Sequence, residues 1–283
     1  MTPSHTVAET LQLAAGALAQ HSESPRLDAE LLLGKVLGVV RSQLIARGDA
    51  PVAGDAWQAY QALIERRASG APIAYLTGTR EFWSLALKVT PAVLVPRPET
   101  ETLVELALQL LPPDQERAIL DLGTGSGAIA LAIASERPRA RVTGTDISPA
   151  ALGVARDNSR ALGLPQVTWR LGSWFDAVPG ERFDMVVANP PYVAAGDQAL
   201  KGLAAEPKLA LESGPTGLEA LTAIVAGAAA RLEPMGWLVL EHGCHQDRDV
   251  ALLLERHGFS GVRSHSDYSG MPRVTLGTIH SSH

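Results

Sequence analysis

The apolar positions change period along the chain, and that change divides it. Val7, Leu11, Ala14 and Leu18 fall at helical spacing between Val7 and Ala19. Ser24-Pro25 opens a second, leucine-rich segment from Leu27 to Val40, and a third runs from Asp55 to Ala68. Gly38, Gly48, Gly54 and Gly70 punctuate these runs. The pattern predicts a small helical domain over residues 1–76.

The texture then changes. Glu81 to Val89 alternates and carries aromatics, which predicts a strand; Pro91 breaks it and Ala92 to Val95 resumes it. Residues 77–97 therefore read as a hairpin linker. Pro98 suits the first turn of a helix from Glu99 to Leu111, where Glu99 and Glu101 also suit the helix dipole, and Pro112-Pro113 ends it. Apolar strand candidates follow at Ala118 to Leu122, Arg141 to Thr145, Val167 to Leu171, Phe183 to Ala188 and Gly236 to Glu241. They alternate with helix candidates at Ala128 to Ser135, Pro149 to Leu162, Leu218 to Leu232 and Asp247 to His257. Such alternation predicts an α/β domain over residues 98–283, a Rossmann-like parallel sheet with helices on both faces. Val262 and Val274 to Ile279 would close the sheet as an antiparallel pair.

Composition narrows the class. Hydrophobic residues make up 46% of the 283, enough for a sizeable core. The formal net charge of −6 argues against broad, charge-driven binding to nucleic-acid backbones. The single cysteine, Cys244, excludes a disulfide within the chain and fits a reducing cytoplasm. Met1-Thr2-Pro3-Ser4-His5 lacks the basic and apolar regions of a secretory signal, and no apolar run approaches the roughly 20 residues that span a bilayer. The expectation is a cytoplasmic, monomeric protein with neither membrane nor direct nucleic-acid contacts.

Two loops carry chemistry. The strand Ile119-Leu120-Asp121-Leu122 runs into Gly123-Thr124-Gly125-Ser126-Gly127, where glycines let the backbone turn sharply and approach a ligand. Gly123, Gly125 and Ala128 also fit a dinucleotide fingerprint, and a tight turn with no ligand would look the same. Asp146, about 20 residues on, ends the next strand where an acid grips ribose hydroxyls. Asp146, Ser148 and Pro149 equally suit a helix start, and both roles can coexist. Asp121 tilts the choice of adenosine cofactor: a carboxylate there repels a pyrophosphate but suits the ammonium and sulfonium of S-adenosyl-L-methionine.

The second loop, Asn189-Pro190-Pro191-Tyr192, follows the strand Phe183 to Ala188 and should share a rim with the first. Its two prolines remove backbone donors and stiffen it. The Asn189 carbonyl and the backbone carbonyls then suit an incoming –NH2 group, and Tyr192 offers a flat face to a planar one. Methyl transfer to such a nitrogen needs in-line positioning and polarised N–H groups rather than a strong base.

These motifs, with Gly70-Ala71-Pro72-Ile73-Ala74-Tyr75-Leu76-Thr77-Gly78, Phe82, Val95-Pro96-Arg97-Pro98-Glu99-Thr100-Glu101, Asn158, Gly172-Ser173-Trp174, Glu206-Pro207, Ala210-Leu211, Glu241-His242-Gly243 and Gln246, resemble the bacterial glutamine methyltransferases that modify peptide-chain release factors. Asn-Pro-Pro-Tyr alone is less specific, because nucleic-acid amino-methyltransferases carry similar loops; the Pro-Arg-Pro-Glu-Thr-Glu segment and the helical domain point to release factors. The resemblance implies a class I methyltransferase fold and S-adenosyl-L-methionine as cofactor, released as S-adenosyl-L-homocysteine. It implies cofactor contacts from Gly123, Thr124, Gly125, Ser126, Gly127, Asp146, Trp174 and Asn189. It further implies that Asn189, Pro190, Pro191 and Tyr192 hold the substrate glutamine, with Asn189, Pro190 and Tyr192 catalytic, and that the N-terminal helical domain recognises the substrate. Class I release factors, methylated on the glutamine of a Gly-Gly-Gln loop, would be the protein partners. The alternatives are a ribosomal-protein glutamine, a nucleic-acid base, a nicotinamide-dependent dehydrogenase, or a non-catalytic adenosine-binding module.

Three clusters carry less. Glu241-His242-Gly243-Cys244-His245 lacks zinc-site spacing, and Glu241 and His242 should face opposite ways on a strand, so no metal is expected. Arg97 and its neighbouring acids fit a substrate contact or a helix cap equally well. Arg66-Arg67 reads as a solvated helix face.

Overall fold

The computed structural model describes residues 5–280. Apart from His5, the opening segment read above for a secretory signal lies outside the described residues. The chain separates into two compact units, Met1–Thr79 and Arg80–His283.

The first unit is helical: α1 (Val7–Leu18), α2 (Pro25–Leu37), α3 (Arg41–Ala46), α4 (Gly54–Ala68) and α5 (Ile73–Thr77). Thr6 and Glu9 cap α1 reciprocally. Gly38, at φ 67°, stops α2 at Leu37, short of the Val40 expected from the leucine run. The helices close over Leu11, Leu18, Leu32, Leu33 and Tyr60, all fully buried. Arg67 is not a solvated position: it turns inward to Asp28 at 2.7 Å and to the Ala71 carbonyl. The short helices α3 and α5 escape a periodicity reading because one or two turns hold too few apolar positions.

The second unit opens with a two-stranded hairpin, β1 (Thr79–Phe82) and β2 (Leu85–Lys88). Its turn is Trp83-Ser84, at φ 51° and 59°, and the segment before Pro98 is irregular. The continuous strand expected from Glu81 to Val89 is therefore folded in two, and Ala92 to Val95 is not a strand. Both central residues at positive φ is turn geometry that Asn-Gly would advertise and Trp-Ser does not. Phe82 and Leu87 are buried in the core of this unit, so the hairpin is a packed part of it.

A 3-10 turn at Pro98–Thr100 leads into α6 (Glu101–Leu110). Next come β3 (Ala118–Leu122), α7 (Ala128–Glu136), β4 (Arg141–Asp146), α8 (Pro149–Ala161), β5 (Thr168–Leu171) and β6 (Phe183–Ala188). After a long connection come α9 (Glu219–Ala228), β7 (Leu232–Glu241), α10 (Asp247–Arg256), β8 (Phe259–Ser266) and β9 (Pro272–Ile279). The seven-stranded sheet has the order β5-β4-β3-β6-β7-β9-β8. Every pairing from β5 to β7 is parallel, and β9 runs antiparallel to both β7 and β8. Helix α9 ends four residues before the expected Leu232, because that residue already starts β7.

Alternate strand residues feed two cores. Ile119, Val142, Val187 and Val239 pack with α6 and α7 on one face. Leu120, Leu122, Val186 and Leu238 pack with α9 and α10 on the other. Strand order reverses at β3, which pairs with β4 on one side and β6 on the other. The carboxyl ends of β3, β4 and β6 therefore frame a crevice at a topological switch point.

Candidate active site

A cavity of about 450 Å³ opens at this crevice, within the range of small-molecule sites. Gly123, Thr124, Gly125 and Ser126 line it, as do Asp146, Trp174, Asn189 and Pro191. The fold thus brings together most of the residues singled out in the sequence.

The glycine loop is held in place by polar contacts. The Thr124 N–H donates to the Thr145 carbonyl at 2.8 Å. Gly123 and Gly125 adopt φ of 68° and 56°, which side chains tolerate poorly. The Gly125 N–H donates to Asp146 Oδ2 at 2.9 Å, and the Ser148 N–H donates to Asp146 Oδ1 at 2.8 Å. Asp146 thereby joins the loop to the end of β4, while the α8 cap falls to Ser148, whose Oγ accepts from the Ala151 N–H. Burial pushes the Asp146 carboxyl upward against the N–H groups of Ser148 and Gly125 that favour its charge.

Gly127 does not line the cavity. It caps α7 at φ 83°, where a Cβ would meet Trp169 at 2.8 Å and Leu131 at 3.1 Å. Asn158, outside the expected site, braces the loop from behind: its Nδ2 donates to the Ser126 and Lys88 carbonyls and its Oδ1 accepts from the Lys88 N–H. Trp174, at φ 44°, lays its ring beside Gly123, where a Cβ would stand 3.4 Å from Cζ3.

Asp121, the acid that tilts the choice of cofactor in the sequence, is buried beneath the loop and does not line the cavity. Its Oδ2 accepts from the Thr124 hydroxyl at 2.5 Å and from the Ala130 N–H, while Oδ1 has no partner. Burial pushes this carboxyl up to about 7, and the charge of Asp146 adds to the effect.

The charges test which adenosine cofactor fits. Among the described residues Arg97 is the only lysine or arginine lining the cavity. It is already paired with the buried carboxylate of Glu206, which also accepts from the Val95 N–H at 3.0 Å. The Arg97 side chain makes no cap bond to the 3-10 turn that follows, and it lines the cavity while held by Glu206. With the Asp146 carboxyl at the wall, the loop end suits an ammonium and a sulfonium and, among the described residues, offers no free lysine or arginine for a pyrophosphate.

At the end of β6, Asn189 and Pro191 reach the cavity, whereas Pro190 is buried and Tyr192 lies behind it. Asn189 Nδ2 donates to Thr100 Oγ1 at 3.1 Å. That leaves the Asn189 carbonyl free to accept from a ligand. The Tyr192 hydroxyl donates to Glu241 Oε1 at 3.5 Å, and burial with the neighbouring Glu241 charge pushes its phenol upward. Thr100 and Glu241 lay in motifs read from the sequence, but nothing in their spacing linked them to Asn189. His242 engages both ring nitrogens, with the Gly243 carbonyl at 2.9 Å and Thr275 Oγ1 at 2.8 Å.

Comparison with known proteins places this arrangement. Residues 9–78 match the model described as PrmC N-terminal domain, and residues 100–256 match Methyltransferase small domain. The release factor glutamine methyltransferase of Xylella fastidiosa strain Temecula1 is 52% identical over 254 residues, covering 89% of this chain and 92% of that protein. The Salmonella typhimurium LT2 protein of the same name is 47% identical, over 90% of this chain and 93% of its own. Among solved structures, a Pyrococcus furiosus methyltransferase aligns with a TM-score of 0.54 at 18% identity, over 78% of this chain and 98% of its own. The Thermus thermophilus 16S rRNA N2 G1207 methyltransferase, solved with AdoMet and guanosine, aligns at 0.56 and 22% identity, over 71% of this chain and 50% of its own. At these identities the two structures establish the fold. With about half its sequence shared along nine-tenths of its length, this chain belongs to the release factor glutamine methyltransferase family.

Proposed function

We propose that this protein transfers the methyl group of S-adenosyl-L-methionine to the side-chain amide nitrogen of the glutamine in the Gly-Gly-Gln loop of class I peptide chain release factors. The observation that carries the reading is the Asn189 amide, turned by Thr100 so that its carbonyl is free at the rim of the cavity that the glycine loop frames. A glutamine amide has two N–H protons to donate and a nitrogen that is a poor nucleophile. Accepting one proton at Asn189 Oδ1 and the other at a backbone carbonyl of the proline pair polarises that nitrogen and orients its lone pair.

When bound, the cofactor supplies an electrophilic methyl group on a sulfonium. Gly123 to Ser126 and Asp146 would hold its adenosine and amino-acid parts, and Trp174 would flank it. Transfer of that methyl to the amide nitrogen would leave the S–C electron pair on sulfur, as S-adenosyl-L-homocysteine. The nitrogen's extra proton then leaves to water. Pro190 and Pro191 keep the loop rigid, so alignment is built in before substrate arrives. The N-terminal helical domain, residues 1–76, supplies recognition of the release factor, and the enzyme acts in the cytoplasm as a monomer.

The test is transfer of labelled methyl from S-adenosyl-L-methionine to a purified class I release factor, with the Gly-Gly-Gln glutamine changed to alanine as control. Label on the factor that disappears in the control is expected. Cofactor binding without label on the factor would redirect the search to a ribosomal protein or a nucleic-acid base.

A further inference from the structure

We propose that Gln246 is a positioning residue for the transfer: its side-chain amide clamps the Tyr192 end of the Asn189–Tyr192 loop, so that the loop is fixed at both ends. The inference rests on the methyl-transfer reading only for its kinetic consequence; the clamp stands on geometry alone.

Gln246 is half-buried just before α10, beyond the carboxyl end of β7. Its Nε2 donates to the Tyr192 carbonyl at 3.1 Å and to the Gly217 carbonyl at 3.4 Å, and its Oε1 accepts from the Gly243 N–H at 2.9 Å. One amide thus joins the chain leaving β6, the turn before α9 and the turn after β7. A glutamine amide can be reversed with almost no change of shape. Here the backbone decides its direction. A peptide N–H only donates and a carbonyl only accepts, so the reversed amide would meet all three groups with the wrong atom. Two glycines leave room for it. At Gly217, at φ 79°, a Cβ would stand 2.5 Å from the Tyr192 carbonyl oxygen and 3.1 Å from Gln246 Nε2. At Gly243 a Cβ would stand 3.0 Å from Gln246 Oε1.

The other end of the loop is held by Thr100, whose Oγ1 accepts from Asn189 Nδ2 at 3.1 Å. Between the two ends stand Pro190 and Pro191, whose rings fix φ and leave the backbone little freedom to absorb a shift. A displacement at Tyr192 is therefore passed to Pro191 at the cavity wall and to Asn189 beyond it. A role confined to the turn from Gly243 to Gln246 would need only the acceptor, which a glutamate also supplies. Gln246→Glu keeps the shape and that acceptor but sets an ionised oxygen against two carbonyl oxygens. It therefore separates the clamp from the turn.

The experiment uses the full-length enzyme at about pH 8, where a new glutamate is ionised. The wild type, Gln246→Glu and Gln246→Met, which is uncharged and of similar length, are compared for kcat, for KM toward the release factor, for cofactor Kd by calorimetry and for Tm. Losing a directed hydrogen bond predicts a fall in kcat of about 5- to 20-fold in both variants, with KM and cofactor Kd within about twofold. Tyrosine labelled with 13C at the carbonyl gives one NMR signal for each of the four tyrosines, and that of Tyr192 is identified by its absence in Tyr192→Phe. This signal should move in both variants while the other three keep their places. Wild-type kcat in Gln246→Met, a loss of cofactor affinity equal to the loss of kcat, or a Tyr192 signal that stays in place would each overturn the clamp. If one variant fails to fold, the other carries the comparison; unfolding of both would make Gln246 a structural residue and overturn its positioning role as well. If the wild type methylates no release factor, the proposed substrate fails, and the Tyr192 signal alone decides.

Discussion

Asp146 Oδ2 accepts the Gly125 N–H at 2.9 Å, so the acid ending β4 also sets the shape of the loop following β3. Asp146→Ala removes that tether together with the acceptor proposed for the cofactor ribose. Cofactor affinity should fall by about 10- to 100-fold, from two hydrogen bonds to a charged group. Calorimetric titration with S-adenosyl-L-homocysteine measures it. Unchanged affinity would remove Asp146 from the cofactor site.

Gly127 and Gly125 share a motif but not a job. At Gly127 an alanine Cβ would press on Trp169, Leu131 and Ala155 at a positive φ. Gly127→Ala should therefore cost about 2 kcal/mol or more in stability, from overpacking and backbone strain together. At Gly125 the space is open and only the φ of 56° is strained, so Gly125→Ala should cost about 1 kcal/mol and chiefly weaken cofactor binding. Urea unfolding of both variants separates the two, and equal destabilisation would contradict the packing argument.

Asn189→Ala removes the acceptor proposed for the substrate amide. Methyl transfer should drop by about 100-fold or more, in the range lost with one polarising group. Cofactor Kd should change far less. If rate and cofactor affinity fall by the same factor, the polarising role is wrong and Asn189 serves the cofactor alone.

Asp121 gives stability a pH signature. Its folded-state carboxyl is raised to about 7 by burial, above its ordinary value when unfolded. The folded protein therefore holds a proton that the unfolded chain has lost, and stability falls as pH rises from about 4 to about 7, then levels. Asp121→Asn, neutral throughout, should lack this slope. The difference between wild type and variant should change by about a few kcal/mol between those two pH values. Denaturant unfolding across that pH range tests it, and parallel curves would show that Asp121 is ionised in the folded state.

Much of this protein is legible without coordinates. The alternation of apolar runs marks β3 and β6 to the residue, because a strand buried on both faces must be continuously apolar between polar turns. The two loops are legible because glycine and proline impose backbone geometry wherever they stand. Hence Gly123 to Ser126, Asp146 and Asn189 could be placed at one rim before any distance was known. The Trp83-Ser84 turn was not legible, since its positive φ values follow from how the hairpin packs and not from residues that prefer them. Nor could the sequence separate Gly127, a packing residue, from its neighbours in the loop, or show that Asp121 lies below the site. The pairing of Asn189 with Thr100 spans 89 positions, and that of Arg97 with Glu206 spans 109. Local propensity carries no information over such distances. Only the tertiary structure decides which hydroxyl meets which buried carboxylate, because burying a polar group is costly unless the fold brings it a partner.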